Sequence, residues 1–271
     1  ALMETWPEGC DVLVVDHYQL DNHFETACRP WAKRIMAIDD LADRQHDCDF
    51  LLDQTLGRKP EEYEPLVPND CVLLLGPAYA LVRPQFTKAR MGALAGRRQR
   101  PEVKRILLSL GATDPRNITA DVLEALSQTG TRATIDVVIG AAAPHLQQLR
   151  QIAETGDLDV TLHIDHADMA SLMVAADLAI GAGGTSSWER CCLGLPSLMV
   201  VAADNQRKVT GSLVDAGAAR IVGNEGTIET DAFAREFLKL TGDARVREKM
   251  SLSAAIVCDG LGQSRVSGVL D

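Results

Sequence analysis

Three glycines within four residues, Gly181, Gly183 and Gly184, end an apolar run in "ADLAIGAGGTSSWERCCLGLP" (residues 176–196). Thr185, Ser186 and Ser187 follow, and Glu189 stands a few residues on. Glycine lets backbone approach a ligand closely and tolerates positive φ. A helix start offers unpaired N–H groups and the positive end of a dipole to an anion. The stretch reads as a phosphate cradle. The N–H groups of Gly184, Thr185 and Ser186 would hold a diphosphate, and Glu189 would accept hydrogen bonds from ribose hydroxyls.

Two other readings compete. A dinucleotide fingerprint G-x-G-x-x-G would begin at Gly181, but its sixth position is Ser186 and Pro196 leaves room for only a short helix. A tight turn that uses small residues for packing alone is the bland option. A P-loop is excluded because the segment has no lysine.

Further groups gather at other strand ends. "SLGATDPRN" (109–117) has the same anatomy, with Asp114 or Asn117 as helix cap and Asn117 as a possible substrate contact. "AADNQ" (202–206) ends a strand and opens a helix. Asp204 or Asn205 can cap it, and the amides of Asn205 and Gln206 suit sugar hydroxyls or acetamido groups. "VVDHYQLD" (14–21) puts Asp16, His17 and Tyr18 at the end of an early strand. "DDLADRQHDCD" (39–49) is dense in acids around His46. It follows no familiar ligand spacing and reads as a solvated, capped loop, so no metal or cofactor is called for.

The elements that must position these groups alternate strand and helix. "CDVLVVD", "IMAIDD", "DFLLDQT" and "CVLLLG" form a first strand series. The first of these reads as a strand buried on both faces. "RILLSLG", "TIDVVIG", "DVTLHID", "DLAIG", "PSLMVVA" and "ARIVG" form a second, with helical segments between them. "MGALAGRRQRPEVK" is polar and basic, and is the linker candidate. The expectation is a Rossmann-like domain over 1–91, a linker over 92–102 and a second Rossmann-like domain over 103–271. Parallel sheets carry helices on both faces, and the ligand lies in a cleft between the domains. "ALMETWPEGC" enters as the tail of a helix, which suggests a preceding segment.

Bulk composition narrows the partners. With 271 residues and a net charge of −11, the chain lacks the basic surface of a nucleic-acid binder. Seven cysteines without a C-x-x-C pair favour reduced thiols in a cytoplasm. No apolar run reaches membrane-spanning length, so no membrane partner is expected.

Taken together, "DVLVVDHYQLD", "IDDLADRQHDCDFLLDQTLG", "LLLGPAYALVRPQF", "SLGATDPRNIT", "DLAIGAGGTSSWERCCLGLPSLMVVAADNQ" and "VCDGLGQSRV" resemble the UDP-2,4-diacetamido-2,4,6-trideoxy-β-L-altropyranose hydrolases of pseudaminic acid biosynthesis. The resemblance implies a GT-B fold of the MurG glycosyltransferase type. It implies UDP bound by the second domain and an inverting, metal-independent hydrolysis to UDP and the free sugar. It places Gly184, Thr185 and Ser186 on the pyrophosphate, Glu189 on the ribose, Asn205 and Gln206 near sugar and phosphate, and Tyr18 in the active site, with Asn117 a further contact. The family's catalytic histidine lies in a G-x-G-H loop that has no counterpart here and is expected upstream of Ala1. A GT-B glycosyltransferase and a non-catalytic UDP-sugar binding module are the alternatives.

Overall fold

The computed structural model describes residues 5–224 and 227–271. Residues 1–4 of the expected helix tail lie outside the described residues. By packing, the chain divides into two units: Ala1–Leu81 with Leu261–Asp271, and Val82–Gly260.

The first unit holds a four-stranded parallel sheet in the order β1-β2-β3-β4. The strands are β1 (Cys10–Val15), β2 (Ala32–Ile38), β3 (Phe50–Asp53) and β4 (Val72–Leu75). Every residue of β3, "FLLD", is buried, as an inner strand with continuous apolar character requires. β1 was expected to be buried on both faces, and here the structure differs. It is an outer strand of the described sheet, and Val14 is 50% exposed. The helix Gly262–Leu270 returns to this unit, where Val266 packs against Met36, Phe50, Leu52 and Leu74.

The acid-rich segment 39–49 is not the solvated loop expected from its composition. Asp39 and His46 are buried. Glu25, fully buried, accepts from the Asp47 N–H at 2.6 Å and lies 2.8 Å from His46 Nδ1. Asp53 pairs with the buried Arg58, and the Tyr63 hydroxyl sits 2.8 Å from Asp39 Oδ2 and 2.9 Å from Asp53 Oδ2. Buried charge needs such partners, and composition alone does not reveal that Arg58 and Tyr63 supply them. Among the described residues, no cluster of three or more His, Cys, Asp or Glu side chains is arranged to hold a metal.

The second unit is built on a seven-stranded sheet in the order β11-β10-β9-β8-β5-β6-β7. Its strands are β5 (Arg105–Ser109), β6 (Thr134–Ile139), β7 (Val160–Ile164), β8 (Leu178–Ala182), β9 (Ser197–Val200), β10 (Ala219–Asn224) and β11 (Thr227–Ile228). All pairings are parallel except β10 with β11. Alternation along the central strands covers both faces. Ile106, Leu108, Ile180 and Leu198 join a core with the helices Ile118–Gln128 and Thr230–Gly242. Leu107, Ala179 and Met199, each next to one of these in its strand, are equally buried. β5 is followed to one side by β6 and β7, and the chain then returns to the other side with β8. The β5/β8 boundary is therefore a topological switch point, where parallel sheets bind ligands at strand carboxyl ends.

Residues 92–102, expected as a linker, are helical as far as Arg97, in the helix Pro84–Arg97. Arginines of this helix act as staples, Arg97 from the expected linker and Arg90 from just before it. Arg90 donates to the carbonyls of Cys192, Ala255 and Cys258, and Arg97 to those of Met173, Ala176 and Leu193. All seven cysteines are free thiols, five of them buried. Among the described residues no helix is long and apolar enough to cross a membrane.

Candidate functional site

At the switch point a cavity of about 360 Å³ opens at the carboxyl ends of β5 to β8. It is lined by residues that include Ser109, Gly111, Gly140, His166, Gly184, Ser186, Glu189 and Gln206. Gly184 and Thr185 are exposed, and Ser186 is half-buried.

The three glycines divide the work. A Cβ on Gly181 would stand 2.6 Å from Arg190 Nη1, and one on Gly183 would stand 2.3 Å from Thr210 Oγ1. Those two positions are glycine for packing. At Gly184 a Cβ would meet nothing within 4 Å. None of the three has a positive φ, so backbone handedness accounts for none of them, and close approach within the fold accounts for Gly181 and Gly183 only.

The helix Ser186–Cys192 starts its hydrogen bonding at Ser187, whose N–H donates to the Gly184 carbonyl at 2.9 Å. The N–H groups of Gly184, Thr185 and Ser186 precede that bond and find no acceptor among the described residues. Beneath the loop lies Arg190, a residue the sequence reading passed over. Its guanidinium donates to the Ala182 carbonyl (2.8 Å), to Ser187 Oγ (3.0 Å) and to Ser186 Oγ (3.1 Å). Burial pulls its pKa below the ordinary arginine value. Because Ser186 Oγ accepts from Arg190, its own proton is available to donate outward.

Two carboxylates line the cavity, Asp165, which accepts from the Ala141 N–H at 3.0 Å, and Glu189 on the helix after the glycine loop. Arg83, at the start of the helix Pro84–Arg97, holds Glu189 with Nη2 3.1 Å and Nε 3.2 Å from Oε1. Burial pushes the Glu189 carboxyl above its usual range, and the nearby Arg83 and Arg190 charges pull it back only in part. Arg83 also stacks over Phe86 at 5.2 Å. Its partner lies 106 residues away, and no local pattern links the two.

Gln206 enters the same cavity from the start of the helix Gln206–Asp215. Its Oε1 accepts from the Ala202 N–H at 3.1 Å, which leaves the side-chain NH₂ to donate. Asn205, just before it, is exposed and is not among the residues lining this cavity. Neither Asp204 nor Asn205 caps the helix; Asp204 instead pairs with Arg207 at 3.1 Å. Asn117 also lies off the cavity lining. It sits at the N-cap position with φ 60°, and its Nδ2 donates to Gln148 Oε1 at 2.9 Å. Asp114 performs the capping, accepting from the N–H groups of Ile118 (3.0 Å) and Thr119 (2.8 Å). Tyr18 belongs to the first unit. It is 55% exposed, and its hydroxyl donates to Asp40 Oδ2 at 3.2 Å. Burial raises the pKa of Asp40, and the Tyr18 hydrogen bond opposes that rise.

Comparison with known proteins gives this geometry a context. The chain is 28% identical over 197 residues to the spore coat polysaccharide biosynthesis protein SpsG of Bacillus subtilis, covering 72% of this chain. It is 28% identical over 167 residues, 61% of its length, to the UDP-2,4-diacetamido-2,4,6-trideoxy-beta-L-altropyranose hydrolase of Campylobacter jejuni. It spans 57% of the length of each of these two relatives. Among solved structures, MurG of Acinetobacter baumannii superposes with a TM-score of 0.66 at 14% identity, covering 99% of this chain and 75% of MurG. The UDP-GlcNAc 2-epimerase of Neisseria meningitidis bound to UDP-GlcNAc gives 0.66 at 16% identity, covering 99% and 78%. These likenesses, with two parallel α/β units, show the GT-B fold. The model of the glycosyltransferase family 28 C-terminal domain matches residues 106–253, the part of the second unit that carries the cavity, and the chain belongs to that family.

Proposed function

We propose that the protein is a nucleotide-sugar hydrolase that cleaves a UDP-linked 2,4-diacetamido-2,4,6-trideoxy sugar to UDP and the free sugar, in pseudaminic acid biosynthesis in the cytoplasm. One observation carries the reading. Gly184, Ser186 and Glu189 border one cavity at the switch point of the sheet, and the N–H groups of Gly184 and Ser186, with that of Thr185 between them just off the lining, have no acceptor among the described residues. The identity shared with the Campylobacter hydrolase favours this substrate over other UDP-sugars.

In this reading the pyrophosphate lies on the three N–H groups and the Ser186 hydroxyl. Glu189 accepts from the ribose hydroxyls, and the Gln206 amide donates toward phosphate or sugar. Asn205, Asn117 and Tyr18 are the further proposed contacts, with Tyr18 against the sugar. Water attacks the anomeric carbon from the face opposite the nucleotide. The bond from that carbon to the β-phosphate oxygen breaks, UDP leaves with the electron pair, and the configuration inverts. Charge grows on the departing diphosphate, where preorganised N–H donors stabilise it most. A base that takes the proton of water adds about 10²–10⁴-fold. No step calls for a metal.

The test is incubation with the UDP-diacetamido sugar, with and without EDTA and without any acceptor. UDP release under both conditions is expected. No release in either contradicts hydrolysis. Release only when an acceptor is added supports the transferase reading, which the family 28 match favours.

A further inference from the structure

At the opposite edge of the same sheet a second cavity, of about 410 Å³, lies where strands begin. Pro101, Asp177 and Pro196, which lead into β5, β8 and β9, line it. A strand of five residues separates the two edges by roughly 16 Å.

The charge of its wall is unusual for this chain. Arg97, Arg98, Arg100, Arg245 and Arg247 line it, against only two acids, Asp177 and Glu248. The chain as a whole carries −11. Asp177 is already committed to Arg100 at 3.3 Å and to the N–H groups of Lys104 and Arg105.

Arg97 and Arg247 are held by dipoles alone. Arg97 donates to three carbonyls, each at 2.7 Å. Arg247, 5% exposed, donates to the carbonyls of Leu240, Thr241 and Pro101. Neither pairs with a carboxylate among the described residues. Burial, helped by the like charge of Arg100, brings Arg97 down to about 9, and burial lowers Arg247 as well. Carbonyls orient a guanidinium without neutralising it, so uncompensated positive charge stays at the cavity wall. Leu94, Leu252 and Ala255 add an apolar lining. Arg98 and Arg245 are exposed, so both can turn onto a ligand headgroup in the forked geometry that suits phosphate or carboxylate.

We propose that this cavity is a second binding site, for a small organic anion that carries a phosphate or carboxylate on an apolar body. Arg98 and Arg245 grip the headgroup, and Leu94 and Leu252 contact the body. The proposal stands apart from the reading of the glycine loop and does not depend on it.

Calorimetric titration of the protein with phenyl phosphate and with benzoate, each with and without saturating UDP, tests it. At least one probe is expected to bind, with UDP present or absent. A preference for phenyl phosphate assigns a phosphate ligand, and the reverse assigns a carboxylate. The double substitution R98A/R245A, at two exposed positions, is expected to weaken binding about tenfold or more. Glu189→Gln is expected to leave it unchanged. Binding of neither probe, undiminished binding to the double variant, or displacement by UDP overturns the proposal. Arginine-dependent co-sedimentation with phosphatidylglycerol vesicles, without binding of either probe, would assign the patch to a membrane surface and also overturn it.

Discussion

Arg83 Nη2 lies 3.1 Å from Glu189 Oε1 and fixes the single carboxylate on the short helix after the glycine loop. The arginine stands just before one helix and the glutamate sits a turn inside another, so a cation from 106 positions upstream offsets part of the burial cost of a carboxylate in the cavity.

If Glu189 accepts from ribose hydroxyls, Glu189→Ala removes charged hydrogen bonds worth about 1.5–3 kcal/mol. Calorimetric titration with UDP is expected to show that loss. Unchanged affinity takes Glu189 out of the ribose role.

Removing Arg83 makes a pH prediction. Burial already raises the Glu189 pKa, and Arg83 is the first influence that lowers it. In Arg83→Ala the carboxyl should titrate at a still higher pH, because a neutral acid is favoured once its cation is gone. UDP affinity should then begin to fall at a higher pH than in the parent protein as the solution is acidified. Superimposable affinity–pH curves contradict a role for ionised Glu189.

The glycines separate packing from ligand approach. Gly183→Ala forces a Cβ against Thr210 Oγ1 and the Gln206 carbonyl. It should cost about 1–3 kcal/mol in urea unfolding. Gly184→Ala meets open space, so it should leave stability nearly unchanged and weaken UDP binding. Equal affinity in Gly184→Ala and the parent argues that the loop is glycine-rich for packing alone.

Asp136 should set part of the acid limit of the second unit. Burial raises its carboxyl, but hydrogen bonds and charge from Arg105 and His163 outweigh burial and hold it below the ordinary value. Its folded pKa is depressed, so its contribution is present above the unfolded value near pH ~4 and is lost as pH falls through the folded value. Stability of the parent relative to Asp136→Asn should therefore be greatest at pH 7 and shrink by pH 3. A gap that does not change between those pH values contradicts the assignment.

Tyr18→Phe removes the donor to Asp40 Oδ2 from an exposed ring. Turnover of the UDP-diacetamido sugar is expected to fall about tenfold or more while UDP affinity holds. An equal loss in both reduces Tyr18 to a structural part.

What the sequence made legible was local. Strands such as "RILLS" and the helix Ile118–Gln128 follow from apolar runs and periodicity, and the glycine–hydroxyl cluster announces a helix start at a strand end. What stayed hidden was long-range pairing. The grip of Arg83 on Glu189, the Arg58–Asp53–Tyr63 network and the carbonyl staples of Arg97 join residues that no short window contains. A linker was read into residues 92–102 because arginine-rich helix and solvated linker share a composition, and only tertiary packing separates them. The two-residue strand β11 is too short to carry any period.

The central claim is that a nucleoside diphosphate rests on the N–H groups that open the helix Ser186–Cys192. Amide hydrogen exchange with and without UDP reads it most directly. The account predicts UDP-dependent slowing at residues 184–187 and at the start of the helix Gln206–Asp215. Slowing confined to other strand ends, or none at saturating UDP, contradicts it.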